Sequence, residues 1–459
     1  MNDDRIPQTV LFPDLFDKPL VATFDQAHAS SDGGAVLLKA ADRRLGVTAA
    51  FAECLTDARP AAKVTHTMAA LVAQRVFGIA CGYPDANDAD RLAADPIQKL
   101  LLDRDPIDGA SLASQPTISR FENGVGRHAL YRAGRALAAC VIARHQRRLH
   151  RRARLITIDL DPTDDPTHGA QQLTFFNGHY DTWCYLPMLA FLTFNDEVEQ
   201  YLCAAVLRPG NVPATRGALG LVRRLLTRLR RAFPQARFLV RLDGGFATPE
   251  LLDFLDAESR LTYVVAMGEN AVLTRLAAPA MAQVRPQSAA SGQTAHVYLD
   301  ARYAAKTWAH DRRVVIKAEV VRLPGREPRD NARFVITNLR QTPRFVYEQV
   351  YCARGDIENR IKELHHDLAI GRTSCTRFWA NQLRVLLTAA AYVLLQEVRL
   401  QAARTRCARA QVATLRLRLL KLGAQVVASV RRVVIHLPLS TPDCATWQRI
   451  ALRLGARPG

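Results

Sequence analysis

The chain has 459 residues, 49% of them hydrophobic and 23% charged, the make-up of a folded globular protein with room for two to four domains. Lys and Arg number 62 against 43 Asp and Glu, and the resulting +19 implies a polyanionic partner, with nucleic acid ahead of a membrane surface. Nine cysteines, an odd number with no CxxC pair, exclude a disulfide framework and a structural zinc site.

The opening MNDDRIPQTV has neither a basic n-region nor an apolar h-region, so no signal peptide is expected. The longest apolar run, Val385–Leu395, is too short to span a bilayer. A cytoplasmic protein with reduced thiols and no membrane partner is the expectation.

Residues 1–150 read as a helical N-terminal region for DNA binding or dimerisation. Apolar spacing over Ala35–Leu45 and Met68–Phe77 suits amphipathic helices, and the turn residues of Gly82–Asn87 break the pattern. Ser114–Gly124, SQPTISRFENG, predicts a short helix capped by a hydroxyl, suited either to packing or to entering a DNA groove. Arg144–Arg154 reads as a basic helix with six arginines: Arg144, Arg147, Arg148, Arg151, Arg152 and Arg154. So many like charges repel unless an anion compensates, and Arg147 and Arg151 are assigned to a DNA backbone.

An α/β core is expected over 151–268. Leu155–Leu160 predicts a strand running into Asp159-Leu160-Asp161-Pro162-Thr163. Trp183–Phe194 and Val198–Leu207 predict an antiparallel pair turning at Asn195–Asp196. A helix over Gly217–Ala232 leads to a strand, Arg237–Leu242, that ends on Asp243. A helix from Pro249 and a strand over Leu261–Ala266 follow. This order makes a mixed α/β sheet with an aspartate at the ends of two strands.

Residues 269–349 read as a β-rich insertion, with strands at His296–Leu299, Arg313–Arg322 and Arg333–Asn338. Residues 350–375 carry a core helix. The last region, 376–459, is basic and mainly helical: Phe378–Arg404, Gln411–Leu422 and an apolar stretch, Val426–Leu439. From residue 371 onward Glu397 and Asp443 are the only acids.

In the core helix, YCARGDIENRIKELHHDL, regular helical spacing puts Tyr351, Arg354, Glu358, Lys362 and His365 within about a quarter of the circumference. Ile357, Ile361, Leu364 and Leu368 form the adjacent apolar stripe. Alone, this is an ordinary solvated face with Glu358 and Lys362 paired one turn apart. Two upstream aspartates change its meaning. Asp161 (or Asp159), Asp243 and Glu358 all lie where core elements could aim them at one point. Converging carboxylates call for a cation, and an all-oxygen ligand set suits Mg²⁺ or Mn²⁺. Two such ions suit in-line phosphoryl transfer on a nucleic-acid phosphodiester. Asp161, nearer the strand end, is favoured as the ligand, with Asp159 as the alternate one pleat deeper.

These blocks resemble a known family. The Tyr351-x2-Arg354-x3-Glu358 spacing is similar to the signature of DDE transposases of bacterial insertion sequences. ITIDLDPTDDPTHGAQ, FFNGHYDTWCYLP, VRLDGGFATPE and RGDIENRIKEL resemble blocks of the insertion sequence 1380 family. The resemblance implies an RNase H-like core, metal-dependent cleavage at inverted terminal repeats, and strand transfer into double-stranded target DNA by a dimer. It implies Asp161, Asp243 and Glu358 as ligands of two Mg²⁺ or Mn²⁺ ions, with Tyr351 and Arg354 on DNA phosphates. The signature's lysine, seven residues after the glutamate, is His365 here, so Lys362 or His365 takes that role. Trp308 is read either as an aromatic that stacks on a flipped base or as a packed core residue. A bacterial, nucleoid-associated protein follows from the same likeness.

Two rivals stand beside this reading. Asp159-x-Asp161-x-Thr163 after an apolar strand also matches the nucleophile motif of haloacid-dehalogenase-type phosphatases, with Gly355-Asp356 as the distal acid. That distal motif belongs after a strand, whereas Gly355 sits in a helical pattern. The other rival is an inactive, transposase-derived DNA-binding protein.

Overall fold

The structure, a computed structural model, describes residues 9–12 and 14–457. Eight strands form the main sheet: β1 (Leu155–Pro162), β2 (Met188–Phe194), β3 (Tyr201–Val206), β4 (Arg237–Leu242), β5 (Leu261–Met267), β6 (Ala295–Tyr303), β7 (Arg312–Val321) and β8 (Arg329–Thr337). Across the sheet they run β6-β7-β8-β5-β4-β1-β2-β3. β4 is parallel to both β1 and β5, while β2 is antiparallel to β1 and β3 antiparallel to β2. β3-β2-β1-β4-β5 is the RNase H-like order, and β1 is buried on both faces, as a central strand should be.

The main helices are α1 (Val36–Leu45), α2 (Val47–Cys54), α3 (Met68–Cys81), α4 (Gln115–Gly124), α5 (Arg127–Arg148), α6 (Ala218–Ala232), α7 (Pro249–Ala257), α8 (Ala271–Ser291), α9 (Asp356–Lys362), α10 (Phe378–Gln401) and α11 (Cys444–Leu454).

Three regions depart from the sequence reading. β6, β7 and β8 continue the main sheet beyond β5 and do not form a unit of their own. They are preceded by α8, which the sequence hides behind Pro279 and Pro286. Each proline removes one helical hydrogen bond, yet Leu273, Ala277, Ala280, Met281 and Val284 keep helical spacing and are buried. Asn270 caps the start by accepting from the Val272 and Leu273 amides.

The basic stretch Arg144–Arg154 is not one helix. α5 stops at Arg148, and His150 and Arg151 take left-handed backbone angles, φ 48° and 60°, that no helix contains. Arg144 is buried in a two-pronged pair with Glu397, at 2.8 and 2.9 Å. Arg148 pairs with Glu197 at 2.7 Å. Arg147 and Arg151 are exposed and donate to the Arg44 and Arg231 carbonyls.

α10 is long and apolar enough by composition to cross a bilayer, contrary to the reading of its apolar run alone. Here 94% of that apolar window is buried within the fold, against α3, α5 and β3. Its glutamines cover the sheet edge: Gln396 and Gln382 accept from the Leu202 and Leu207 amides at 3.0 and 2.8 Å. An edge strand so covered cannot recruit another chain. The basic C-terminal region also contains strands, Ala424–Ala428 and Val433–His436, in a small sheet with Ala29–Ser30. Gly34 allows this approach, since a Cβ there has no room against the Leu419 carbonyl.

The Arg144–Glu397 pair ties α5 to α10, and removing one partner strands the other charge in the core. Glu397→Ala should therefore lower the unfolding free energy by about 3–5 kcal/mol, read from urea unfolding. Replacing both residues by aliphatic ones should restore most of that loss.

Candidate active site

β1 and β4 run side by side with Asp159 opposite Arg241, so Asp161 and Asp243 lie level at the carboxyl ends of neighbouring strands. Asp159 is fully buried and held by both prongs of Arg241, each at 2.7 Å. Asp161 is one pleat further out. Arg354 Nη2 lies 2.7 Å from Asp161 Oδ1 and 3.6 Å from Asp243 Oδ2, bridging the two acids. Asp243 Oδ1 accepts from the Gly245 amide at 2.8 Å, which fixes its direction.

Arg354 comes from a helical run, Pro343–Asp367, whose turns are uneven. Wide π-type turns at Val346–Tyr351 and Glu363–Asp367 flank a tight turn at Cys352–Gly355 and the regular α9. Such turns recur at functional sites because they re-aim side chains. Ile357, Leu364 and Leu368 are buried, as the apolar stripe predicts, and Ile361 packs at the margin of the core. Arg354 and Tyr351 are half-buried beside the acids, whereas Glu358 and Lys362 are exposed. The five polar residues therefore do not share one environment. His365 Nε2 lies 2.9 Å from Thr163 Oγ1, so it reaches β1 through the residue two beyond Asp161.

The run is anchored by Glu363. That carboxylate accepts from Arg399 at 2.6 Å, Arg360 at 3.0 Å and Tyr392 at 2.5 Å. Arg399 and Tyr392 lie on α10, so α10 sets where α9 stands against the sheet.

Burial pushes the Asp161 carboxyl up to about 7; Arg354 opposes this, while Asp243, Glu358 and Asp159 add to it as like charges. Glu358 is thus within coulombic reach of Asp161. Among the described residues no three His, Cys, Asp or Glu side chains stand close enough to hold a metal ion as they are. The donor set nevertheless fits a hard divalent cation. Two carboxylates share one cationic nitrogen, a third adds to the same field, and every donor is oxygen.

The chain matches the family model described as transposase DDE domain, group 1, over residues 12–457. It belongs to that family. No curated protein matches it. The phosphatase reading falls with this match, and Gly355-Asp356 lies inside the helical run and not after a strand.

In this transposase Trp308 is remote from the acids. It sits in the β6–β7 turn, and the register through Arg313, Thr337 and Val264 puts that turn beyond the opposite end of the sheet. Its ring packs on Tyr303 at 5.3 Å and under the Arg312 guanidinium at 4.9 Å. The packed alternative describes these contacts.

Sequence reasoning missed Tyr180 and Arg208. Tyr180 is at the tip of a hairpin, Phe175–Asn177 with Thr182–Tyr185, after the Asn177-Gly178 turn signal. The apolar stretch Trp183–Phe194 masked that hairpin by reading as one strand. Burial, then Asp164, Asp161 and Asp243, push the Tyr180 phenol up to about 12, which puts it within the acids' field. Arg208 is buried nearby with one Nη2 unpartnered among the described residues, and burial lowers it to about 10 while Tyr180 opposes.

Asp165, just past β1, is buried with Oδ1 unpartnered and Thr373 donating to Oδ2 at 2.8 Å. Burial raises its carboxyl to about 7, so the folded state binds a proton that the unfolded chain releases near pH 4. Its contribution to stability is complete below that lower value and is lost as pH rises through about 7. Asp165→Asn, which cannot ionise, should lose less thermal stability than the parent between pH 5 and pH 8. Parallel melting curves across that interval would refute the buried-acid account.

Proposed function

We propose that this transposase cuts DNA at the ends of a mobile element and joins the freed ends to target DNA by a cut-and-paste route. Asp161, Asp243 and Glu358 are its metal ligands, and two Mg²⁺ or Mn²⁺ ions are its cofactor. The observation that carries this reading is the pairing of Asp161 and Asp243 at level ends of adjacent strands, bridged by one guanidinium nitrogen. When bound, the divalent ions activate the attacking oxygen and stabilise the leaving one.

Arg354 presents a planar fork with its Nε unpartnered among the described residues, suited to a DNA phosphate beside the cut. Tyr351 packs against Tyr347 and flanks that fork. Lys362, exposed and without an acid partner among the described residues, is free to meet the backbone. His365 is turned inward on Thr163, and burial lowers its basicity against the opposing Asp164, so Lys362 is the better phosphate cation. The partners are the element's terminal repeats and double-stranded target DNA, with two copies joining the two ends. Arg147 and Arg151 meet the DNA backbone outside the site. The blocks around the three acids favour the insertion sequence 1380 branch, and with it a bacterial protein working at the nucleoid.

Glu358→Gln, Asp243→Asn and Asp161→Asn should each abolish Mg²⁺-dependent cleavage of a labelled duplex carrying the element's ends, with DNA binding kept. Asp159→Asn should only slow it, since Asp159 acts through Arg241. Normal cutting by the Glu358 or Asp243 variant would displace the metal site. A parent protein that binds DNA but never cuts would favour the inactive relic.

A further inference from the structure

Some arginines at the surface of this chain are neutralised in place. Arg285 pairs with Asp330, Arg302 with Asp311, Arg313 with Asp300 and Arg372 with Asp85. One patch differs. On the outer faces of α5 and α6, Arg127, Arg132, Arg135, Arg224 and Arg228 have no acid within ion-pair distance among the described residues. Tyr131 stands among them, 50% exposed, with the guanidinium carbons of Arg135 and Arg224 at 5.8 and 6.0 Å from its ring centre. Arg228 Nη1 donates to the Arg135 carbonyl at 2.6 Å, locking the two helices side by side. Arg132 is likewise braced, donating to the Cys54 carbonyl at 2.7 Å.

A merely solvated face does not account for this arrangement. Like charges held at fixed positions repel one another, and partial burial together with Arg135 and Arg224 pulls Arg228 below its ordinary range. An exposed aromatic with guanidinium groups on its flanks adds surface for a sugar–phosphate edge. The patch is also continuous with the site. Arg127 and Arg132 line a cleft of about 760 Å³ shared with Lys63 and Arg120. At the other side, α6 starts just after the Arg208 loop, where Ala214 lies so near Gly245 that a Cβ there would be at 3.0 Å. Gly245 in turn holds Asp243. α6 has 15 residues, so it runs about 22 Å away from the acids, the length of roughly six base pairs.

We propose that the α5–α6 face is a track for the phosphate backbone of duplex DNA leading away from the cut. Tyr131, Arg135 and Arg224 are its centre. It rests on the transposase reading above, and it assigns DNA contact to a face that joins the N-terminal region to the catalytic core. The partner is a regular polyanion and not an acidic protein, because the cations follow a helix axis toward the catalytic acids and carry no apolar core for a protein interface.

The test uses the full chain carrying Asp243→Asn, without metal, and a 30-base-pair duplex followed by fluorescence anisotropy across a salt series. Arg135→Ala with Arg224→Ala should weaken binding by about tenfold or more near 0.1 M salt and reduce the salt slope by about two. Arg135→Lys with Arg224→Lys should keep the slope, which separates lost charge from lost fold. Arg285→Ala with Arg302→Ala, paired arginines elsewhere, should change neither quantity. If the parent binds and the alanine pair matches it in affinity and slope, the track is wrong and the catalytic reading stands. If the parent shows no salt-dependent DNA binding at all, both fall together.

Discussion

Two carboxylates at the level ends of adjacent parallel strands set the terms for the rest of the molecule. Asp161 and Asp243 are brought together by backbone hydrogen bonding between β1 and β4, which is insensitive to their charge. Their repulsion has to be met from outside the sheet, and the group that meets it is Arg354. One pleat deeper the same problem arises for Asp159 and is solved within the sheet by Arg241. The contrast separates the two aspartates. A two-pronged buried pair is closed to a ligand, whereas a single shared nitrogen, with Nε idle, is an arrangement that another cation can replace.

The helical run that supplies Arg354 must be held firmly although its outer face is exposed. Its fixed point is not near the acids. It is Glu363, nearly a turn and a half beyond Glu358, buried against Arg399 and Tyr392 of α10. α10 in turn covers the β3 edge through Gln382 and Gln396 and clasps α5 through Glu397. One buried helix therefore registers the sheet, the Glu358 helix and the N-terminal region against each other. That explains why it carries so many buried polar groups in an otherwise apolar stretch: Gln382, Arg384, Tyr392, Gln396, Glu397 and Arg399 each have a partner on a different element.

Local pattern made the β1, β4 and β5 strands legible, and with them the two strand-end aspartates. Arg237–Leu242 has the predicted limits, because turn residues bound it on both sides. β1 runs on to Pro162 because its ladder with β2 continues through Asp161, a fact held by Leu189 and Met188 and not by β1 itself. The uneven turns of the Glu358 helix left no trace, since π and tight turns depend on tertiary anchors such as Glu363. α8 was hidden by its prolines, which local rules read as breaks although burial against the sheet overrides them. Tyr180 and the Arg241–Asp159 fork were invisible for a simpler reason. They join residues far apart in sequence, and no spacing rule spans that distance.

The net charge needs the same correction. A total of +19 suggested that the arginine-rich stretch at 144–154 would face DNA, but arginine in this chain is also a core residue. Arg75 and Arg384 share the buried Glu122, Arg144 holds Glu397, Arg399 holds Glu363 and Arg241 holds Asp159. Such pairs contribute fold specificity and no external field, because each cation is cancelled within a few ångströms. The quantity that bears on a polyanion is the charge left uncancelled at the surface. Counting arginines along the sequence overstates it in α5's last turn and understates it on the face that α5 shares with α6. Where one end of a helix has used its arginines internally, its other end and an adjacent helix without acids of its own carry the uncancelled charge.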